Sequence, residues 1–493
     1  MTTLSNFEPR RLTVASNRQP RPTRRLLLAY IAFVVSSAGS TVALLLAEPD
    51  LQLVLAPVLA ATWIFAVFSC FLYLHDGQNL VFHVGFFAAG SALIYIALPG
   101  VFFALSGFEW SDTSDTRLVL LHTNVDDVAA YVWRGALYLS GFCVTYVLVI
   151  LNLKKPASAI VIPVTATDVA ICASIVAACF FYQTAINLAF GVSLSQADTE
   201  FPADGINPNL PLLVAQITHN IMAVQRIAKL ALIVALVGLW KNKWARFALV
   251  VFLFSELFST VALFGPRSYF AFLVLATVLS FHRLVRPISV PVAAAVGILF
   301  LSLLLAYGYV RDYSNHASDF STANEFQVLM GTALHVRDMV ADGLKVPPQV
   351  RWSELLMLIP QQLLPTEKID PSIWYLLESG YSETGSGYMF GVQSQAEAGW
   401  GNPELFLRGV CLALVLGFFY RQYVKRPPSF LLTVCYIWLL TAIYYSYRAA
   451  TFYWVTFIAF RLLVFVGVFL AIRHIVSIVR SDQSTFTPRD AAK

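Results

Sequence analysis

The sequence predicts an all-α polytopic membrane protein with about 12 transmembrane helices and one large external loop. Three observations lead to this prediction. Of the 493 residues, 58% are hydrophobic and 12% are charged, and the mean hydropathy is +0.69, unlike an average soluble protein. Apolar runs of about 17 to 25 residues, long enough to cross a hydrocarbon layer of about 30 Å, recur along the chain. Lysine and arginine cluster in alternate connections between these runs.

Twelve apolar runs are candidate spans, and the eighth and tenth are short. They fall near residues 26–47, 51–74, 80–105, 132–153, 166–190, 212–240, 247–265, 268–282, 288–308, 405–420, 429–446 and 451–472. The predicted regions are a basic tail (1–25), spans 1–9 (26–308), a large external loop (309–404), spans 10–12 (405–472) and a C-terminal tail (473–493). The basic tail lacks the apolar stretch and cleavage site of a signal peptide, so the first span is expected to remain as an anchor.

The basic residues orient these spans, because positive charge is retained on the cytoplasmic side in short loops. The clusters are Arg10, Arg11, Arg18, Arg21, Arg24 and Arg25; Lys154 and Lys155; Lys241, Lys243 and Arg246; Arg283 and Arg286; Arg421, Lys425 and Arg426; and Arg473, Arg480, Arg489 and Lys493. Both termini are therefore predicted to be cytoplasmic. The net charge of +5 follows from this topology and gives no indication of nucleic-acid binding.

Several function classes lack support in the sequence. The six cysteines fall inside apolar runs without paired spacing, which indicates neither a disulfide framework nor a zinc site. No Walker or Rossmann glycine pattern indicates a nucleotide-driven mechanism. Four aspartates in the second external connection are candidate ligands of a divalent ion, although an acidic solvated loop is the commoner case: Asp112, Asp115, Asp126 and Asp127. No metal or cofactor is expected.

Three arginines lie next to span ends on the external side: Arg267, which follows a Gly265-Pro266 turn, Arg311 and Arg448. Arginine presents a planar, permanently charged donor fork that suits phosphate oxygens. If the three converge, they would neutralise a pyrophosphate leaving group and lower the barrier to breaking its bond to a sugar. In the alternative, each is an interfacial arginine whose stem lies in lipid. A lipid-phosphate substrate is the first hypothesis.

The sixth span has a polar stripe in its outer half. Polar residues inside a span usually face the bundle interior or a wet cavity, so His219 is a candidate substrate-binding residue. In the alternative, residues 206–222 form an interfacial helix that lies flat, and His219 is solvated. The stripe consists of Gln216, His219, Asn220 and Ala223, with Arg226 at its edge and Lys229 further round.

The large loop holds the other candidates. Ordered loops of this length are usually functional or carry their own helices, and the apolar spacing over residues 323–340 predicts an amphipathic helix that presents His335 and Arg337 near its polar side. Inverting sugar transfer needs a base near the acceptor hydroxyl, and Glu397, His335 and His219 are the candidates. Glu397 is the better placed, since a Gly-rich approach from residue 386 to 402 surrounds it. For His335, the alternative is a hydrogen-bonded structural residue. Nearby aromatic residues suit stacking against sugar rings or belong to the interfacial belt: Trp374, Tyr381, Tyr388 and Trp400.

Residues 245–470 resemble the oligosaccharide repeat-unit polymerases, the Wzy-type O-antigen and exopolysaccharide polymerases. The likeness rests on the Gly265-Pro266-Arg267 turn, on the glycine-rich segment with a glutamate at 391–402, and on the external Tyr447-Arg448 before the last span. The layout of a dozen spans with one late external loop is also similar. Two departures are proline at 266, where the family often has serine, and the order Trp-Gly-Asn at 400–402, which leaves the role of Asn402 open.

The resemblance implies a GT-C-like, metal-independent, inverting membrane glycosyltransferase that needs no cofactor. It would join undecaprenyl-pyrophosphate-linked oligosaccharides into O-antigen or exopolysaccharide at the periplasmic face of a bacterial inner membrane. Arg267 and Arg448 would hold the donor pyrophosphate, Glu397 or His335 would activate the acceptor hydroxyl, and Arg311 stays open between binding and an ordinary interfacial role. The lipid bilayer is an expected partner, and a chain-length regulator is an additional candidate.

Three other functions remain open. An O-antigen ligase shares the donor and the arginines but transfers to lipid A core. A polyprenyl-phosphate-dependent transferase with an acidic pair in its first external loop would use Glu48 and Asp50, which are more typical of a simple loop. A lipid-linked-glycan transporter would carry charges at mid-depth in its spans and interrupted spans in corresponding halves of the chain.

Overall fold

A computed structural model of the protein is all-helical in its regular structure over the residues that it describes. These residues are 35–37, 39–44, 46–76, 80, 82–105, 124–153, 164–190, 211–262, 267–289, 292, 295, 325–356, 359, 363–365, 368–379, 390–427, 429–449 and 451–485. The chain divides into two compact units, residues 1–52 and 53–493. In the first unit, Glu48 and Asp50 are exposed where the helix Pro49–Asp76 begins.

The helices are α1 (Pro49–Asp76), α2 (Val84–Leu105), α3 (Val125–Ile150), α4 (Ala166–Phe190), α5 (Leu212–Gly238), α6 (Lys243–Ala262), α7 (Arg267–Leu284), α8 (Glu325–Ala341), α9 (Pro348–Arg351), α10 (Ser353–Leu356), α11 (Pro371–Glu378), α12 (Val392–Glu397), α13 (Asn402–Lys425), α14 (Phe430–Ala442), α15 (Tyr445–Arg448) and α16 (Thr451–Thr485). Local sequence explains several starts. Asn124 caps α3 by accepting the Asp127 N–H at 2.8 Å, and Asp370 caps α11 ahead of Pro371.

The protein is a helical membrane protein. Within the described residues, six helical stretches are long and apolar enough to cross a membrane: Pro49–His75, Val84–Leu105, Val125–Ile150, Ala166–Phe190, Asn402–Lys425 and Arg461–Val479. Shorter apolar helices are Val35–Leu44, Phe270–Leu284 and Phe430–Ala442. The helices α5 and α6 cover the predicted sixth and seventh spans but carry charged residues inside them. Most of the predicted ninth span, 288–308, lies outside the described residues.

Several helix boundaries differ from the prediction, and two of the differences concern the C-terminal part of the chain. Helix α13 is longer than the tenth span expected at 405–420, because its charged residues face either a buried partner or the exterior instead of ending the helix. The C-terminal segment expected to be a tail from residue 473 continues α16 as helix to Thr485. Within the segment 309–404, the described part from residue 325 onward forms α8 to α12, and these short helices enclose a second small core that includes Val336, Trp374 and Tyr375.

Helices α3 and α13 approach each other closely. A Cβ at Gly409 of α13 would overlap the carbonyl oxygen of Tyr138 in α3, so only glycine fits there. Small residues at such points let the backbones of membrane helices come together. Further along, Gly417 faces Val149, so residue numbers rise together and the two helices run parallel. Their N-termini therefore lie at the same end of the bundle, which we call the site end.

A buried tyrosine cluster fixes the short helix α15 within this bundle. Tyr447 is fully buried, its ring stacks on Tyr95 with centroids 6.1 Å apart, and it meets Tyr138 edge-on at 5.2 Å. The Tyr131 hydroxyl donates a 3.4 Å hydrogen bond to the Tyr95 carbonyl. Aromatic rings bury large areas and prefer these offset and edge-to-face arrangements. The cluster thus ties α15 to both α2 and α3.

Candidate functional site

The short helix α12 is the centre of the candidate site. Its residues Gln393, Ser394 and Gln395 are buried, although all three are polar. The helix begins after Gly391, where a Cβ would lie 2.7 Å from the Leu329 side chain and 3.2 Å from the Tyr447 carbonyl oxygen. The close approach that the Gly-rich stretch predicted is therefore an approach to α8 and to α15.

Gln393 links α12 to the tyrosine cluster. Its Nε2 donates hydrogen bonds to the Tyr447 hydroxyl at 2.6 Å and to the Tyr131 carbonyl at 3.2 Å. A buried polar side chain is stable only when it is hydrogen-bonded, so these two bonds specify how α12 seats in the bundle. The next residue after Tyr447 is Arg448, whose guanidinium lies 5.5 Å from the centre of the Tyr445 ring. The glycine-rich segment and the Arg448 segment are brought together in this way.

Glu397, at the C-terminal end of α12, forms an ion pair with Arg134 of α3. The Arg134 Nη1 lies 2.6 Å from the Glu397 Oε1, and the two side chains are 23% and 10% exposed. Burial raises the pKa of the Glu397 carboxyl above its ordinary value, and the positive charges of Arg134 and Arg337 oppose this effect without reversing it. A carboxylate with a raised pKa is a stronger base than a solvated glutamate, which suits proton removal from a hydroxyl.

A second pair of ionic contacts lies beside Glu397. The Arg337 Nη2 is 2.8 Å from Asp127 Oδ1 at the start of α3 and 2.7 Å from Asp338 Oδ1. Asp126 and Asp127 belong to the first turn of α3, so they are not part of an acidic loop as predicted. The residues Asp112 and Asp115 lie outside the described residues. Where the structure describes the chain, no group of three or more His, Cys, Asp or Glu side chains is arranged to hold a metal ion.

His335 lies on α8, the helix predicted over residues 323–340. Its Nδ1 shares a 2.9 Å hydrogen bond with the hydroxyl of Tyr375, which is fully buried. Burial lowers the pKa of His335, and the Asp338 charge opposes this only partly. The imidazole is therefore neutral at pH 7, the state in which it accepts a proton. The contact with Tyr375 also fits the structural alternative for this histidine.

The remaining predicted site residues are described less fully. Arg267 is the first residue of α7, and its side chain lies outside the described part. One and a half turns on, Phe272 packs on Tyr444 and Tyr445 with ring centroids 5.1 and 5.9 Å apart, so α7 meets the Arg448 segment. Arg311 lies outside the described residues. His219 lies in α5, again without a described side chain. Because α5 is one helix from Leu212 to Gly238, residues 212–222 do not form a separate flat helix.

Two arginines at the site end were not anticipated. Arg134 pairs with Glu397, and Arg408 in α13 lies between Glu354 and Glu404. Both arginines fall inside predicted spans. Ionisable residues in a span usually face the protein interior or a wet cavity, and this signal would have identified both positions. Their partners, however, are far away along the chain and could not be chosen from sequence spacing.

No model of a known protein family matches the chain. No curated protein and no solved structure matches it either.

Proposed function

We propose that the protein is an oligosaccharide repeat-unit polymerase of the membrane. It would join lipid-pyrophosphate-linked oligosaccharides by inverting glycosyl transfer at the periplasmic face of a bacterial inner membrane. The observation that carries this proposal is the contact of the α12 segment, which ends at Glu397, with the Tyr447–Arg448 segment of α15. These segments carry two of the three elements of the polymerase resemblance, and they are about 50 residues apart in the sequence. A base and a phosphate-binding cation at one end of a bundle is the arrangement that such a transfer needs.

The chemistry assigned to the residues is a single displacement. The acceptor hydroxyl oxygen attacks the anomeric carbon of the donor sugar while the Glu397 carboxylate takes the hydroxyl proton. The bond from the anomeric carbon to the pyrophosphate oxygen breaks, and lipid pyrophosphate leaves with the electron pair. Arg448, together with Arg267, stabilises the negative charge that develops on this leaving group. His335 is the alternative base.

We further propose the finer features of the architecture: 12 spans, a GT-C-like arrangement and both termini in the cytoplasm. The parallel course of α3 and α13 supports the predicted topology, because the spans that these helices represent were both predicted to enter the membrane from the external side. The site end, with Glu397 and Arg448, would then face the periplasm.

The test is the size profile of surface and lipid-linked glycans after deletion of the gene, with plasmid-borne variants restored. We expect single repeat units in the deletion strain, long chains with the wild type, and short or no chains with Arg448→Lys, because a point charge does not reproduce a bidentate contact. Arg421→Lys, an exposed arginine on α13, is the matched control and should restore long chains. Normal chain length with both Arg448→Lys and Arg267→Lys would refute the assignment of the pyrophosphate site.

A second candidate function is transport of a lipid-linked glycan, and one observation favours it. The Lys229 Nζ of α5 lies 2.8 Å from Glu256 of α6, and the two side chains are 15% and 13% exposed in the middle of their helices. One turn away, Gln183 of α4 and Gln225 exchange hydrogen bonds of 2.8 and 3.2 Å. Charges at this depth often mark a transport route. Accumulation of long lipid-linked chains that never reach the surface of the deletion strain would favour this function over polymerisation.

A further inference from the structure

A cavity of about 220 Å³ lies beside the candidate site. It is bordered by the α9–α10 segment on one side and by the turn before α13 together with the first turns of that helix on the other. The side chains of Trp352 and Trp400 line it, 51% and 65% exposed respectively. Ligand pockets typically combine aromatic walls with a few fixed polar groups, and pockets for drug-sized ligands measure about 300–1,000 Å³. This smaller cavity suits a single ring.

The backbone around both tryptophans is held in place although the rings are exposed. The Gln395 Nε2 of α12 donates to the carbonyls of Val350 and Arg351 at 3.1 and 3.3 Å, which fixes the chain just before Trp352. The Trp400 N–H donates to the Glu404 Oε2 at 2.9 Å. An aromatic ring on a fixed backbone loses little conformational entropy when a ligand stacks on it.

The charges that line the cavity cancel. Two arginines and two glutamates contribute, so the formal sum is zero. Arg408 donates to both carboxylate oxygens of Glu354 at 2.9 and 2.8 Å and to Glu404 at 2.7 Å, and the charge of Arg351 balances the remaining carboxylate. An anionic lipid head group would find little net attraction here. An uncharged ligand with an apolar face and hydroxyl groups fits this lining better.

We propose that this cavity is a subsite for one sugar ring of the glycan, which stacks on Trp352 and Trp400. The C–H face of a pyranose is apolar and matches the aromatic walls, whereas its hydroxyl edge can reach Arg351 and the Glu404 carboxylate. The cavity includes Gly399, two residues after Glu397, so the bound sugar is a neighbour of the reacting one. That the ligand is a glycan rests on the proposed function. The cavity and its tryptophan side chains are observed independently of that proposal.

The experiment measures binding to the full chain in phosphatidylcholine nanodiscs. The probe is the oligosaccharide repeat unit released from the surface glycan of the host, and the dissociation constant is measured by titration calorimetry. We expect Trp400→Ala and Trp352→Ala to weaken binding about tenfold each, and Trp400→Phe to lose less because a ring remains. Trp244→Ala is the matched control, since Trp244 is 68% exposed but lies at the start of α6, away from the cavity lining.

Wild-type affinity in both alanine variants, in samples whose thermal unfolding matches the wild type, would overturn the subsite. A second outcome would also overturn it: mass spectrometry detects a tightly bound phospholipid, the repeat unit fails to displace this lipid, and only the alanine variants lose it. The glycan profile of Glu397→Gln cells is a separate readout. Normal polymer in those cells would contradict the proposed role of Glu397 as the base. It would not bear on the subsite, which the binding measurements test separately. Tryptophan-independent binding contradicts the subsite and leaves the polymerase proposal intact.

Discussion

Two arginine–glutamate clusters at the site end differ in how fully they are satisfied. In the first, Arg408 forms two hydrogen bonds with each of Glu354 and Glu404, and its side chain is 6% exposed. In the second, Arg134 forms a single hydrogen bond with Glu397. The ends of these clusters are only seven residues apart along the chain, from Glu397 to Glu404. The first cluster ties Arg408 to two glutamates, so we assign it a scaffold role. Among the described residues Glu397 accepts from Arg134 alone, which leaves its carboxylate able to take the reactive role that the proposed function gives it.

The largest expected effect is on Glu397. Glu397→Gln keeps the shape and a hydrogen bond to Arg134 but removes the base, so polymer formation should fall about 10²- to 10⁴-fold while the protein stays folded. The measurement is the chain length of surface glycan together with the amount of protein in the membrane. Glu378→Gln, at an exposed glutamate that ends α11, is the control and should leave chain length unchanged. Long chains in the Glu397→Gln strain would contradict the reactive role.

The next effect is on stability. Arg408→Met leaves Glu354, which is 3% exposed, without its counter-charge, and breaking a buried pair in this way costs about 3–5 kcal/mol. The thermal unfolding temperature of Arg408→Met in detergent should be much lower than that of the wild type. The triple replacement of Arg408, Glu354 and Glu404 by apolar residues should recover most of it, because no charge stays buried. A single variant as stable as the wild type would mean that this cluster is not scaffold.

A smaller loss of stability is expected when the uncharged hydrogen bonds between α12 and the tyrosine cluster are removed. Gln393→Leu removes the hydrogen bonds to the Tyr447 hydroxyl and the Tyr131 carbonyl, and unsatisfied buried groups of this kind cost about 1–3 kcal/mol. Both unfolding temperature and chain length should decrease, because Arg448 follows Tyr447 directly. Gln422→Leu on α13 is a control on a residue without a described side-chain hydrogen bond. Unchanged chain length in Gln393→Leu would show that polymer formation does not depend on the link between α12 and the Arg448 segment.

The smallest effect is a shift in pH dependence. The base works only when ionised, so activity should fall as the pH drops through the raised pKa of Glu397. The Arg134 charge lowers that pKa, so Arg134→Met should raise it further and move the acid limb of the profile to higher pH. Arg337→Met removes the weaker of the two opposing charges and should shift the limb less. Both shifts can be measured from the rate at which isolated membranes form polymer at a series of pH values. A limb that moves to lower pH in Arg134→Met would contradict the ion pair.

The sequence predicts the membrane class and many helices, because apolar runs report directly on burial in lipid. The amphipathic helix of His335 and the close approach near Gly391 follow from apolar spacing and from glycine content, which are local signals. Helix α13 extends past its predicted bounds to Lys425 because Arg421 and Lys425 are exposed on its surface, and a hydropathy window ends at such charges although the helix continues. Whether 12 helices span the membrane remains a prediction.

The candidate site follows from the sequence only in part. Local motifs indicate Glu397 and Arg448 as site residues, and the structure places their segments in contact. The partner of Glu397 was not foreseen, because Arg134 is 263 residues away and only the packing of α3 on α13 brings it near. The same reason applies to Asp127, which the sequence places in a loop and the structure places in a helix turn next to Arg337. Tertiary pairing of charges follows from topology, and spacing along the chain does not encode it.

The length of α16 has a practical consequence. Its 35 residues span about 52 Å at 1.5 Å per residue. A helix that crosses about 30 Å of hydrocarbon at a tilt as large as about 40° uses about 39 Å of its length. About two turns of α16 therefore lie outside the hydrocarbon layer and continue the transmembrane part of the helix. A fluorophore attached to these turns would move with the membrane-spanning part of α16, so it would report on motion of that helix.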